Sequence, residues 1–173
     1  ADAPAAVEQA AIDGIERALS ADDDAASAAA NLLDGGTALT LSRSGTVLAA
    51  LRRVASAVIV AESRPACEGV GVAEALAEVG VDVTLCTDAA VAHVLSAGDV
   101  DAVVVGADAV LPDGRVVNKV GTRMAALAAS LEDVPCYVVA ASDKIQAGDE
   151  VHLESGDPGE VYDGDAAISI ENP

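Results

Sequence analysis

Residues 57–86 read AVIVAESRPACEGVGVAEALAEVGVDVTLC, and this stretch decides the fold class. The continuous apolar run from Ala57 to Ala61 is typical of a strand buried on both faces. An Ala-rich segment predicts a helix over Val70 to Val79, and a second apolar run predicts a strand over Val81 to Cys86. A strand, a helix and another strand in this order indicate parallel strands joined by a crossover helix.

The same alternation runs through most of the chain. Further strands are predicted over Thr37 to Leu41, Ala102 to Val105 and Tyr137 to Ala141, and further helices over Val47 to Arg53, Ala89 to Leu95 and Thr122 to Leu131. Val110 to Val116 predicts a hairpin with a Pro-Asp-Gly turn, and Ala167 to Ile170 is the strand-like piece of a polar C-terminal segment. We therefore predict an α/β fold with a doubly wound, Rossmann-like parallel sheet of five or six strands.

The first residues of the chain have a different texture. Apolar residues spaced near the helical period predict a helix from Pro4 onward. The acidic run Asp22 to Asp24 is interpreted as the solvated cap of a second helix, Ala25 to Leu33, which a Gly-Gly pair ends. The predicted organisation is a short helical N-terminal lead-in over 1–35 and one Rossmann-like domain over 36–173.

The composition is strongly acidic and contains few large side chains. Among 173 residues, 29 are acidic and 9 are basic, so the formal charge is −20, and Phe and Trp are absent. A surface of this charge repels nucleic-acid phosphates and anionic membranes, and no apolar run is long enough to span a bilayer. We therefore expect no nucleic-acid and no membrane partner. An excess of Asp over Glu and of Arg over Lys indicates an extreme halophile, with an ordinary high-GC bacterium as the alternative.

The cysteines and glycines exclude several site classes. Three cysteines cannot form a disulfide framework, so we predict a cytoplasmic protein. Cys67 lies in a turn that faces the expected ligand, whereas Cys86 and Cys136 are interpreted as small core residues. The Cys and His spacing fits no metal site, and neither a Gly-x-Gly-x-x-Gly nor a Walker A motif is present, so no cofactor is predicted.

Ligands of a doubly wound sheet bind at the carboxyl ends of its strands, so the turns after the predicted strands hold the candidate site. Four of the nine basic residues, including both lysines, lie in these turns. They are Arg43, Arg64, Lys119 and Lys144. In a chain of charge −20, solubility does not explain why the only lysines are placed at strand ends.

A phosphorylated small molecule is the ligand that these turns favour. Ser44, Gly45 and Thr46 enter a helix, and hydroxyls beside free N–H groups form a phosphate cradle. An ordinary N-cap is the alternative. Asn118 and Lys119 precede a second helix that opens in the same way, and Lys144 adds a further donor.

A carboxylate also follows a buried strand. Asp108 comes directly after Val103-Val104-Val105-Gly106-Ala107, where we expect partial desolvation and nearby lysines. Such surroundings suit a general acid or base. The alternative is a carboxylate that only hydrogen-bonds its own loop.

Taken together, these turns resemble a known family. The segments are residues 39–44, Glu62-Ser63-Arg64-Pro65, Gly106-Ala107-Asp108, Asn118-Lys119-Val120-Gly121-Thr122 and Lys144. In order and spacing they resemble the translation initiation factor 2B α/β/δ family, which includes isomerases of ribose 1,5-bisphosphate and of methylthioribose 1-phosphate. The resemblance implies that Asp108 acts in proton transfer, that Asn118, Lys119 and Lys144 contact substrate, and that Ser44 to Thr46 hold phosphate.

Two departures from the family pattern bear on catalysis. The isomerases have a Cys where this chain has Ser42, and a hydroxyl is a much weaker base than a thiolate unless a neighbouring base activates it. The sequence shows no candidate for that base. The family's N-terminal helical domain with its Arg-Gly-Ala segment has no counterpart, and the family continues past the final Asn-Pro. We therefore expect either a naturally reduced member or a fragment.

Three functional interpretations follow. The first is a regulatory or non-catalytic family member with a pocket for a sugar or nucleotide phosphate, associated with itself or a related subunit. The second is an aldose–ketose isomerase of a 1-phosphorylated pentose in which Asp108 and Ser42 are the catalytic residues. The third is a protein-interaction module with a vestigial pocket. Ser42 in place of Cys favours the first.

Overall fold

The alternation of strands and helices predicted from the sequence is present in the structure. The computed structural model describes residues 3–33, 35–151, 153 and 155–173. Its strands are β1 (Thr37–Leu41), β2 (Ala57–Ala61), β3 (Asp82–Cys86), β4 (Ala102–Val105), β5 (Ala109–Val110), β6 (Val116–Val117) and β7 (Cys136–Val138). Its α-helices are α1 (Ala3–Leu33), α2 (Gly45–Val54), α3 (Glu68–Ala77), α4 (Val91–Ser96) and α5 (Thr122–Leu131).

Five parallel strands form the central sheet in the order β3-β2-β1-β4-β7. β1 lies at its centre and pairs with β2 along its whole length and with β4 at two positions. The chain therefore runs outward to β3 and then crosses back to β4, so the strand order reverses between β1 and β4. In a doubly wound sheet, a ligand crevice forms at such a reversal.

Helices cover both faces of the sheet, which confirms the doubly wound α/β prediction. On one face, α2, α3 and the C-terminal half of α1 pack against the central strands. On the other face, α4 and α5 cover alternate side chains of the same strands. The largest fully buried side chains are Leu and Val, and Ala fills the closest approaches, as expected for a chain without Phe or Trp.

The predicted break within the N-terminal helical segment is wrong, because α1 continues without interruption through Asp22 to Asp24. These aspartates lie inside α1 and cap no helix; Asp22 accepts a hydrogen bond from Thr46, and Asp23, although exposed, pairs with Arg53. Both partners lie on α2. The side chains that the sequence predicted to separate two helices therefore contribute to the contact between α1 and α2.

Smaller differences concern the C-terminal third. The predicted hairpin is confirmed as the antiparallel pair β5–β6, whereas residues 167–170 form no strand. The Ile168 N–H bonds locally to the Ala166 carbonyl, 2.9 Å away, and pairs with no strand of the sheet. Among the described residues, no helix combines the length and the apolar character needed to cross a bilayer.

Candidate functional site

A cavity of about 520 Å³ opens beside the carboxyl ends of β1 and β4. Its lining combines the start of α2, the turn after β4, the short helical turn after β7 and the acidic run of α1. The lining residues are Asp22, Asp23, Arg43, Ser44, Gly45, Thr46, Ala49, Asp108 and Lys144. Five of the nine residues that the sequence proposed as a site, together with Arg43, therefore border one space, which we call the β1–β4 cavity.

Ser44 begins α2 on the cavity wall. Its hydroxyl oxygen accepts the Val47 N–H at 3.3 Å, so Ser44 is an N-cap and still has its own O–H to donate. Gly106 permits this position, because a Cβ there would lie 2.8 Å from the Ser44 side chain. The N-cap and the phosphate cradle are thus compatible, since the N–H groups of Gly45 and Thr46 belong to the first helical turn.

Thr46 differs from the expectation. Its hydroxyl donates to the Asp22 carboxylate at 2.7 Å, so that proton is already used. Asp22 and Asp23 bring negative charge to a cavity whose cationic side chains are Arg43 and Lys144. The ion pair between Asp23 and Arg53 offsets one of these charges.

Asp108 lies on the cavity wall but is exposed, so the expected desolvation is wrong. The chain leaves the buried strand at Gly106, and Asp108 directly precedes β5. Its N–H donates to the Val117 carbonyl at 2.8 Å, which fixes the backbone while the carboxylate stays in solvent. Asp108 therefore lines the cavity without being buried.

Ser42 lies at the end of β1, on the other side of the sheet reversal. It has a left-handed φ of +59°, and Ser63 at the end of β2 has one of +63°. Such angles are uncommon for residues other than glycine and concentrate at functional sites. The Ser42 N–H donates to Ser63 Oγ at 2.6 Å, and the N–H groups of Ser63 and Arg64 donate to the Asp88 carboxylate at 2.8 and 2.7 Å.

The structure supplies a carboxylate next to Ser42. Ser42 Oγ donates to Glu68 Oε2 at 2.9 Å, and Lys119 Nζ lies 3.5 Å from the same oxygen. We call Ser42, Ser63, Glu68 and Lys119 the Ser42 cluster. The sequence prediction that no base accompanies Ser42 is wrong, because Glu68 is the first residue of α3 and this helix begins directly over the end of β2.

Gly69 explains how Glu68 reaches this position. The Gly69 N–H donates to the Glu62 carbonyl at 3.1 Å, and a Cβ at Gly69 would lie 1.9 Å from the Ala61 carbonyl oxygen. Only glycine allows α3 to start so close to β2. The glycine in the motif Cys67-Glu68-Gly69 could have indicated that the start of this helix approaches another backbone segment closely. The motif could not identify Ser42 as the neighbour of Glu68.

Asn118 and Lys119 connect the two parts of the site. The Asn118 side-chain amide donates to Thr122 Oγ1 at 2.8 Å, and Thr122 Oγ1 donates to the Lys119 carbonyl at 2.7 Å. A Cβ at Gly106 would lie 4.0 Å from Asn118 Oδ1 and 2.8 Å from the Ser44 side chain, so the amide comes close to Ser44 but does not itself line the cavity. Asn118 thus approaches the β1–β4 cavity, whereas Lys119 belongs to the Ser42 cluster.

Arg64 lies apart from the other proposed phosphate ligands. It is exposed, it contacts the Cys67 sulfur at 3.7 Å, and it lines a separate depression of about 220 Å³ with Pro65 and Val120. The Arg64 backbone N–H donates to the Asp88 carboxylate at 2.7 Å. Residues near the C-terminus complete that depression.

The remaining cysteines lie outside both parts of the site. Cys86 is half-buried, and burial together with the Asp88 and Glu62 carboxylates raises the pKa of its thiol. Cys136 is exposed, so its predicted place in the core is wrong. It begins β7, which is an edge strand of the sheet. Within the described part of the chain, no group of three or more His, Cys, Asp or Glu side chains could hold a metal ion.

Comparisons with known proteins agree with this architecture. Residues 1–172 match the Initiation factor 2 subunit family. The chain is 38% identical over 151 residues to a ribose 1,5-bisphosphate isomerase of Haloferax volcanii, an alignment that covers 82% of this chain and 46% of the relative. It is 37% identical over 132 residues to a methylthioribose-1-phosphate isomerase of Xanthomonas oryzae pv. oryzae, covering 73% of this chain and 36% of the relative.

Solved structures show the same fold. A 5-methylthioribose 1-phosphate isomerase from Pyrococcus horikoshii superimposes with a TM-score of 0.81 at 26% identity, over 91% of this chain and 51% of that one. A translation initiation factor eIF-2B from the same organism superimposes with a TM-score of 0.79 at 31% identity, over 93% and 58%. The chain spans about half the length of these relatives or less. It belongs to the Initiation factor 2 subunit family, as its strand-end motifs indicated.

Proposed function

We propose that this chain is an initiation factor 2B-like domain that binds a phosphorylated sugar in the β1–β4 cavity. The observation that carries the proposal is the convergence of Arg43, Ser44, Gly45 and Lys144 on one space at the sheet reversal. A helix N-terminus with free N–H groups binds phosphate oxygens, and the two cations add charge-assisted hydrogen bonds.

A thermal-shift titration in molar potassium chloride tests this proposal. The ligands are ribose 1,5-bisphosphate, methylthioribose 1-phosphate, AMP and inorganic phosphate. A ligand that binds only the native state raises the melting temperature by mass action. We expect a sugar phosphate to produce the largest shift, and the absence of a shift with all four compounds would contradict the proposal.

The Lys144→Ala variant tests whether the ligand binds in the β1–β4 cavity. Removing the ammonium eliminates a charge-assisted hydrogen bond, so we expect affinity to fall by about 1.5–3 kcal/mol. Arg52→Ala is the matched control, because Arg52 is an exposed cation in the last turn of α2, far from the helix start. Equal affinities of the Lys144→Ala variant and the unmodified chain would place the ligand elsewhere.

The second candidate function is aldose–ketose isomerisation of a 1-phosphorylated pentose, with Asp108 as acid and base. The hydrogen bond from Ser42 to Glu68 favours it, because a missing base was the reason to prefer a non-catalytic role. The relatives named as isomerases act on ribose 1,5-bisphosphate and methylthioribose 1-phosphate. Conversion of either compound, and its loss in Asp108→Asn, would distinguish this candidate from binding alone.

Association with a second copy or with a related subunit is a further part of the proposal. Leu127 and Leu131 on α5 are exposed, with Leu131 82% accessible, and the neighbouring strand β7 is an edge of the sheet. Apolar side chains in such a position suit a protein–protein contact. Light scattering in molar salt measures the oligomer directly, and a monomer at all concentrations would contradict this part. The cytoplasmic location stays a prediction.

A further inference from the structure

We propose that the Glu68 carboxylate carries the proton between the two sugar carbons during isomerisation, and that Ser42 positions this carboxylate. The proposal rests on the isomerase candidate above and deepens it. In this proposal, the role of the cysteine thiol found in the isomerases passes to Glu68. It does not pass to Ser42, which stands at the position of that cysteine.

The geometry of the Ser42 cluster carries the assignment. Ser42 Oγ donates to Glu68 Oε2 at 2.9 Å, so the carboxylate oxygen lies one hydrogen bond beyond the side chain at the end of β1. Ser42 itself is held by the bond from its N–H to Ser63 Oγ, and Ser63 is 4% exposed. A fixed donor of this kind orients the carboxylate and holds it still.

The surroundings of Glu68 suit a charged base. Lys119 Nζ lies 3.5 Å from Oε2, and Glu68 is in the first turn of α3, where the positive end of the helix dipole stabilises a negative charge. Its side chain is 35% accessible, so a substrate can reach it from solvent. A carboxylate accepts a proton at neutral pH without prior activation, whereas a serine hydroxyl must first lose its own.

The chemistry balances with two carboxyl groups and no further reactant. Asp108 takes up a proton from solvent and gives it to the ring oxygen as the bond between that oxygen and C1 breaks, and the electron pair goes to the oxygen. Glu68 takes the proton from C2, and the C–H electron pair forms the C1–C2 double bond. Glu68 then returns the proton to C1. The hydroxyl proton on O2 goes to Asp108 and from there to solvent as C2 becomes the carbonyl carbon, which regenerates both groups.

Glu68→Gln tests the proposal in the full chain with ribose 1,5-bisphosphate and methylthioribose 1-phosphate as substrates. The amide keeps the size and an acceptor for Ser42 but cannot carry the proton. We expect turnover to fall at least about 100-fold, within the usual contribution of a general base, while the thermal shift with the same compound persists. Glu74→Gln is the matched control, because Glu74 is an exposed glutamate on the same helix, and its turnover should equal that of the unmodified chain.

Isotope transfer separates the proton carrier from a structural role. With deuterium at C2, the unmodified chain should place deuterium at C1 of the product or release it to water, and Glu68→Gln should do neither. Glu68→Asp keeps a shortened carboxylate and should retain more turnover than the Gln variant. Ser42→Ala should lower kcat by about tenfold with little change in KM, since Ser42 acts through Glu68.

The outcomes separate the two proposals. If no compound shifts the melting temperature of the unmodified chain, the binding proposal fails and takes this one with it. Binding without turnover or C2 exchange leaves the pocket standing but overturns the role of Glu68. Turnover of Glu68→Gln within a few-fold of the unmodified chain, with deuterium still transferred, also overturns it.

Discussion

The two parts of the site differ in how their side chains are held. In the Ser42 cluster, each strand end is fixed by hydrogen bonds, from Ser42 to Ser63 and Glu68, and from Ser63 to Asp88. In the β1–β4 cavity, Arg43, Asp108 and Lys144 are exposed, and their side chains face solvent.

This difference fits the two tasks that we propose for the site. Chemistry at carbon needs a base held within a few tenths of an ångström, because a misplaced base loses rate steeply. Capture of a phosphate tolerates movement, since charge acts over a longer range and long cationic side chains close on the ligand after it arrives. We therefore expect substitutions at the Ser42 cluster to affect stability and turnover, and substitutions of the proposed phosphate-binding residues of the cavity to affect affinity.

The largest effect on stability is expected from Gly69→Ala, which would disrupt the packing that holds the Ser42 cluster. The added Cβ would lie 1.9 Å from the Ala61 carbonyl oxygen, so α3 must move away from β2. We expect a loss of about 3 kcal/mol in the free energy of unfolding, measured by urea denaturation in molar salt. Gly71→Ala on the same helix meets nothing within 4 Å and should be neutral or slightly stabilising. Equal stabilities of the two variants would contradict the close packing.

Ser63→Ala tests the hydrogen bond that holds Ser42. The substitution leaves the Ser42 N–H without its acceptor, so we expect a loss of about 1–2 kcal/mol in unfolding free energy. Phosphate affinity should not change, because Ser63 does not line the cavity. Ser130→Ala on the exposed face of α5 serves as control and should change stability by less than about 0.5 kcal/mol. A parallel loss of phosphate affinity in Ser63→Ala would show that the two parts are not separate.

Gly45→Ala should have the opposite effect at the cavity, lowering phosphate affinity while leaving stability unchanged. A Cβ at Gly45 meets nothing within 4 Å, so the free energy of unfolding should change by less than about 0.5 kcal/mol. A phosphate bound to the first turn of α2 would meet the new methyl group, and we expect its affinity to fall by about 1 kcal/mol, measured by calorimetry. Gly148→Ala, also in open space, is the matched control. Unchanged affinity would move the phosphate away from this helix start.

The smallest effect is expected in the hairpin that follows Asp108. The backbone N–H of Arg115 and then its side chain lower the pKa of Asp113 below its usual value. Because the folded pKa is lowered, the resulting stabilisation is present above the unfolded value and is lost as pH falls through the folded one. An NMR titration of the Arg115 amide should show a midpoint below 3.8 that disappears in Asp113→Asn. A midpoint at or above the usual value would contradict the hydrogen bonds of this turn.

The strands and the helices of the Rossmann-like part could be read from the sequence because their signals are local. Apolar runs such as 102–105 and 57–61 have the length and residue types of buried strands, and their observed bounds agree with the predicted ones. The prediction of a helix break at the acidic run of α1 is wrong because it, too, rests on local signals alone. Asp is a weak helix former, and the contacts of Asp22 with Thr46 and of Asp23 with Arg53 join residues more than 20 positions apart, which no local pattern shows.

The sequence by itself determined the fold class, the family and the strand ends at which we propose a ligand site. The tertiary structure alone decided which of those strand-end residues meet. Glu68 and Ser42 are separated by 26 residues, and no periodicity connects them. Their contact depends on the parallel register of β1 and β2 and on the close start of α3 at Gly69, because parallel pairing brings distant turns to one edge and packing then sets the distances within it.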